Sequence, residues 1–192
     1  MRAEGFLQAA LLALALCAPP VAAADWTIAR LMEALAANKA SRATFNETRF
    51  LALLDRPLES SGELRFTPPG RLEKRTLAPG SESLVVDGDS VVVERSGKRY
   101  SLSLRDHPEV AVFVDSIRGT LAGDRKSLEL AYALSLEGRE ARWRLVLRPR
   151  DASVARLVER IEVDGAGPDV RRIEITQPDG DRSLMLIRRI AP

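Results

Sequence analysis

His107 is the only histidine and Cys17 the only cysteine in a chain of 192 residues. Those two counts close several chemistries at once. One cysteine excludes an internal disulfide framework and a cysteine-rich zinc site, and one histidine excludes paired-histidine metal motifs. No metal and no cofactor are expected. A histidine base needs a nucleophile or carboxylate held beside it; His107 instead precedes Pro108 at a helix start and reads as a capping-region residue. No serine sits in a Gly-x-Ser-x-Gly elbow, and no glycine-rich phosphate loop is present. Carboxylates are numerous, among them Glu47, Glu59, Glu63, Glu73, Asp87, Asp89, Glu159, Glu162 and Glu174. Six of these nine have an arginine or lysine within two positions, the pattern of a solvated sheet face of mixed sign. The chain is not expected to be an enzyme.

Of the 29 basic residues, 25 are arginine, against 27 acidic residues and a formal net charge of +2. That balance is too small to argue for nucleic acid. Arg142, Arg144, Arg148 and Arg150 fall on one strand face, interrupted only by Val146. Such a row is a candidate basic surface for lipid phosphates or an acidic partner.

The first 24 residues have their own composition. Arg2 is followed by an apolar run from Phe6 to Cys17 broken only by Gln8, then Pro19-Pro20 and Val21-Ala22-Ala23-Ala24 before Asp25. A basic start, a short apolar stretch and an Ala-x-Ala end describe a secretory signal peptide, with cleavage expected after Ala24. The run is shorter than the ~20 residues a spanning helix needs. Leu16 stands before Cys17 where a lipidation cysteine follows a small residue, so Cys17 reads as part of the removed segment. Residues 25–192 are then a single, cysteine-free periplasmic domain with no stable membrane span.

The elements that must position these side chains follow from periodicity. Asp25 to Lys39 reads as an amphipathic helix capped by Asp25, with Ile28, Leu31, Met32 and Leu35 at helical spacing. Beyond it the period becomes two. Tyr100, Leu102 and Leu104 alternate with polar residues, as do Trp143, Leu145 and Leu147. Turn signals recur at Ser61-Gly62, Pro69-Gly70, Pro79-Gly80, Asp87-Gly88, Ser96-Gly97, Glu137-Gly138, Asp164-Gly165 and Asp179-Gly180. Strands this closely spaced are joined as antiparallel hairpins, and about ten are expected. A second helix opens at Asp106-His107-Pro108-Glu109, places Val110, Phe113, Val114, Ile117 and Leu121 on one face, and stops at Gly123. The fold class is mainly β with α, an α+β fold. Its antiparallel meander sheet is strongly curved into a half-open barrel, closed by an N-terminal and a central helix.

Several segments carry a family resemblance. Ala43-Thr44-Phe45-Asn46-Glu47 follows an N-terminal helix, Gly62-Glu63-Leu64-Arg65-Phe66 precedes Pro68-Pro69, and Pro79 precedes Leu84-Val85-Val86-Asp87-Gly88-Asp89. The run Trp143 to Asp151 and the stretch from Ile173-Glu174-Ile175 to Ser183 complete the series. In order and spacing these resemble a divergent branch of the periplasmic outer-membrane lipoprotein carriers, the LolA-like proteins, over essentially all of residues 25–192. The resemblance implies a hydrophobic cavity for acyl chains. It also implies a lipidated protein or other acyl-chain lipid as cargo, an inner-membrane transporter as donor and an outer-membrane acceptor; a monomer is expected. Exposing an acyl chain to water costs about 0.8 kcal/mol per CH₂, so such a journey needs an apolar container. The lining expected on this reading is Phe45, Leu64, Phe66, Tyr100, Leu102, Val110, Phe113, Val114, Ile117, Trp143 and Leu145.

The chain departs from the family pattern at three places. Pro68 stands where those carriers have an arginine that helps hold the lid, Lys74 replaces an aromatic, and Val91-Val92-Val93 replaces further aromatics. These departures leave room for another cargo, such as a glycolipid or polyene-type lipid. They also leave room for a sensor module on the same fold that responds to lipid or misfolded envelope protein.

Overall fold

The computed structural model describes residues 25–190. The first helix, α1 (Ile28–Ala36), is shorter than its apolar pattern suggests. Its cap is Thr27 rather than Asp25: the Thr27 hydroxyl accepts from the Arg30 N–H at 3.3 Å. Six strands follow as a meander, β1 (Ser41–Phe50), β2 (Leu58–Thr67), β3 (Arg71–Ala78), β4 (Glu82–Asp87), β5 (Ser90–Arg95) and β6 (Lys98–Ser103). Then come α2 (Pro108–Ala122), α3 (Arg125–Ala131), β7 (Tyr132–Arg139) and β8 (Arg142–Pro149). The chain finishes with α4 (Ala152–Ala155), β9 (Arg160–Ala166), β10 (Asp169–Thr176) and β11 (Arg182–Ile190).

All eleven strands form one antiparallel sheet in the order β6-β5-β4-β3-β2-β1-β11-β10-β9-β8-β7. Every pairing is between strands adjacent in sequence except β1 with β11, which joins two meanders in the middle. β6 and β7 remain unpaired edges, so the barrel is half-open, as the sequence predicts. Three of the eight turn signals fall inside strands, Glu137-Gly138 of β7 among them. Ser61-Gly62 sits at a register shift in β2, and Gly62 pairs with Phe45 across β1. A Cβ on Gly62 would fall 1.9 Å from the Arg75 carbonyl oxygen and 3.0 Å from the Phe45 ring. Asp164-Gly165 lies in β9, where a Cβ on Gly165 would meet the Trp143 ring at 2.3 Å. Both glycines make room for an aromatic side chain.

The inner face of the sheet carries two apolar clusters. One gathers Leu31, Met32 and Leu35 of α1 with Leu128 of α3, Tyr132, Trp143, Leu145 and Leu147 of β7 and β8, and Ile161, Val163 and Ile173 of β9 and β10. The other joins Val86, Val91 and Leu104 to Leu102, Val110 and Val114. Helix α2 reaches both, through Phe113 and Ile117 on one side and Val110 and Val114 on the other. Fifteen residues of helix touching both ends of an eleven-stranded sheet require the sheet to bend around them.

Helix α2 is held along its length. Pro108 occupies its first turn, and its N-cap His107 makes no side-chain cap bond, its Nδ1 lying 3.1 Å from the Glu109 carboxylate. Gly123 ends the helix at φ 66°, and a Cβ there would come within 2.1 Å of the Met32 carbonyl oxygen of α1. The buried Ser116 and Thr120 hydroxyls donate to the Phe113 and Ser116 carbonyls at 2.8 and 2.7 Å. Tyr132 donates to the Val112 carbonyl at 3.3 Å, and burial pushes its phenol up to about 12. Arg118 ties the solvent side of α2 to the β4–β5 turn, donating to the Gly88 carbonyl at 2.6 Å.

Candidate lipid-binding cavity

Between the two clusters the sheet and α2 do not meet. The space left is a cavity of about 370 Å³, within the ~300–1,000 Å³ usual for small-ligand sites. Its roof is the α2 face of Phe113, Val114, Ile117 and Leu121. Its floor comes from the inward positions of the central strands: Ala43, Leu64, Phe66, Leu72, Leu84 and Val86 on one side, Val170, Ile173, Ile175, Met185 and Ile187 on the other. The period of two places these side chains inward, and the β1–β11 pairing brings the two sets together.

Five of the eleven residues expected to line a cavity do so: Leu64, Phe66, Phe113, Val114 and Ile117. Phe45 points to the same face but is fully packed beneath the lining, in the gap opposite Gly62. Trp143 and Leu145 lie elsewhere. Helix α1 covers their part of the sheet and fills it, and the Trp143 indole donates to the Gly167 carbonyl at 2.9 Å. Leu102 and Val110 belong to the second packed cluster. Tyr100, on edge strand β6, is 56% exposed.

The polar members of the lining are as informative as the apolar ones. Glu47 of β1 and Lys74 of β3 form an ion pair on the cavity wall, above the Phe45 ring, whose centroid is 4.9 Å from Nζ. Glu47 is only 9% exposed and also accepts from Ser60 at 3.2 Å and Ser183 at 3.0 Å. Burial pushes its carboxyl up, but the charge and hydrogen bond of Lys74, with help from Ser183 and Arg49, hold it below the ordinary carboxylate range. In the sequence Lys74 stands out only as a lost aromatic, and Glu47 as one carboxylate among many that also closes a family segment. Their separation of 27 positions hides the pairing until the register is known. At the other end of the lining stand Arg42, Arg65, Asn38 and an Arg189–Asp169 pair at 2.5 Å.

The arginine row lies on the outer face. Arg144 donates to Asp164 at 2.6 and 3.1 Å, Arg172 reaches Asp164 at 2.8 Å and also Glu174, and Arg182 reaches Glu174 at 3.3 Å. Burial raises the Asp164 carboxyl, and the two arginines more than reverse this, leaving it below its ordinary value. Arg150 donates to the Tyr132 carbonyl at 2.9 Å, whereas Arg142 and Arg148 stay exposed. Arg144 is thus part of a mixed-sign ladder rather than a bare basic patch. Pro68 follows the end of β2, and the arginine that ties α2 to a strand turn is Arg118, on the helix itself.

Residues 17–191 match the family described as outer membrane lipoprotein carrier protein LolA-like. The chain belongs to this family. Similar solved structures include a LolA superfamily protein of Nitrosomonas europaea (11% identity, 87% of this chain and 96% of that one, TM-score 0.43). Another is the lipoprotein LppX of Mycobacterium tuberculosis (11%, 86% and 93%, TM-score 0.47). The MucA/MucB complex of Pseudomonas aeruginosa also matches (21%, 85% and 56%, TM-score 0.37). No curated protein matches the chain in sequence. Among the described residues no helix is long and apolar enough to cross a membrane, and no cluster of His, Cys, Asp or Glu is arranged to hold a metal ion. The predicted signal peptide lies outside the described residues.

Proposed function

We propose that this protein is a periplasmic carrier that holds the acyl chains of a lipidated protein, or of another lipid, in the space between α2 and the central strands. On this reading it moves them from an inner-membrane donor to an outer-membrane acceptor as a monomer, without chemistry of its own. The observation that carries the reading is the apolar void itself. The sheet is filled tightly on both sides of it, so the gap under α2 is confined to the one place where eleven inward side chains face a helix and stop short. Burying an acyl chain there recovers about 0.8 kcal/mol per CH₂ removed from water. Contacts of this kind have no direction, so the cargo can slide out to a more apolar acceptor.

The test is extraction of the purified protein under denaturing conditions followed by mass spectrometry, together with binding of the apolar dye N-phenylnaphthylamine. Lipid in the extract and saturable dye binding are expected. A lipid-free protein that also binds no dye would falsify the carrier reading.

A further inference from the structure

A cavity whose only task is to hold hydrocarbon has no use for an ion pair in its wall. Replacing such a pair by apolar side chains of similar size is often neutral or stabilising, so stability does not account for Glu47 and Lys74. Their placement is specific. Glu47 on β1 and Lys74 on β3 reach each other across β2, where Gly62 has no side chain to intervene and the Phe45 ring lies below. Three donors converge on the Glu47 carboxylate, namely Lys74, Ser60 and Ser183, and satisfy it. The Lys74 ammonium has three N–H bonds to give. Apart from Glu47 and the Phe45 ring it has no partner among the described residues, and its side chain is 26% exposed on the cavity wall.

We infer that Lys74, held by Glu47, is the element of the cavity that reads the polar end of the cargo, and that it selects an acyl ester or acyl amide. This rests on the acyl-chain reading above and names the ligand class for it. A carbonyl oxygen accepts from the free ammonium N–H groups and carries no net charge. A free carboxylate would meet Glu47 at the same place, and the pair as a whole offers it no net positive charge. A bare hydrocarbon would leave the ammonium donors stranded as water is expelled. The cavity therefore grips a chain at its carbonyl.

The experiment is displacement of bound N-phenylnaphthylamine from the wild-type chain by four ligands that share one chain length: methyl palmitate, N-methylpalmitamide, sodium palmitate and hexadecane. The variant for comparison is E47L/K74M, which removes both charges together so that neither is left buried alone. Wild type is expected to bind the ester or the amide about tenfold more tightly than hexadecane and palmitate, the yield of one hydrogen bond to a charged donor. Whichever of the two binds more tightly identifies the source of the carbonyl, a glyceryl ester or an acylated amine. The double variant is expected to bind hexadecane at least as well as wild type and to lose the preference. Equal binding of ester, amide and hexadecane by wild type would overturn the inference while leaving the carrier reading intact. Tightest binding of palmitate, or a preference that survives in E47L/K74M, would do the same. Failure of the dye to bind wild type at all would remove both.

Discussion

The two flanks of the sheet are built from the same alternation and end differently. On β7 to β9, α1 and α3 press onto the inner face and leave nothing open: Trp143, Leu145, Leu147, Ile161 and Val163 are fully buried. On β1 to β3 and β11 the covering element is α2, and Leu64, Leu72, Met185 and Ile187 stay partly uncovered beneath it. The difference lies in how the helices are seated. The Ser116, Gly119 and Thr120 face of α2 is buried and its Gly119 lies against Leu128 of α3, while the Arg118 side is tied to the β4–β5 turn, so the helix is suspended over the middle. A hollow is stable when its roof is fastened at the rims and not through its contents.

The contrast makes unequal demands on substitution. The largest effect is expected at Trp143→Ala in the filled flank, which removes a large buried side chain and should cost about 3–5 kcal/mol in urea unfolding. Lys74→Met alone leaves Glu47 buried without its ammonium. Because Lys74 keeps part of its surface in the cavity, about 2 kcal/mol is expected rather than the ~3–5 of a fully buried pair. The same pair sets a pH dependence. The folded-state Glu47 carboxyl sits below its ordinary value of 4.5, so its stabilisation is complete above that pH and is lost as pH falls through the lower folded value. Below pH 4.5 wild type should therefore lose stability more steeply than E47L/K74M; parallel acid limbs would show that Lys74 does not hold the Glu47 carboxylate ionised.

Smaller effects sharpen the comparison from the hollow side. Ala43→Phe adds a ring to the cavity floor, where overpacking a filled core would cost about 1–3 kcal/mol. Here the stability change should stay within about 1 kcal/mol while dye affinity falls at least tenfold. Full dye binding in this variant would show that the void continues elsewhere. Least of all is expected from Arg142→Gln and Arg148→Gln on the outer face, within about 0.5 kcal/mol each. Arg144→Gln should cost slightly more, because it opens the bond to Asp164.

Much of this was readable beforehand. The hairpin meander, the boundaries of α2 and its apolar stripe, and the five lining residues shared by α2 and β2 follow from periodicity and turn chemistry. Parity assigns a side chain to a face, but does not say which helix covers it. Trp143 and Leu145 alternate just as Leu64 and Phe66 do, and only the landing place of α1 separates packed core from lining. Helix α3 is seven residues long and carries a weak pattern, and the tight contact between Gly119 and Leu128 is a tertiary fact. Gly62 and Gly165 imitate turns because a missing side chain looks the same whether it frees the backbone or admits a ring. The Glu47–Lys74 pair depends on register across three strands, which no local spacing encodes.

The join between β1 and β11 also orders the making of the molecule. Thr44 and Arg188 lie on facing strands although 144 residues apart, whereas every other strand pairing is with a neighbour in sequence. Closing so long a loop is slow compared with hairpin formation. A nascent chain that has not yet released Arg182 to Ile190 holds two separate half-sheets, with β1 and β10 as raw edges able to pair with other chains. The hollow is complete only once the last strand is in place, and until then both half-sheets expose an edge that the finished sheet covers.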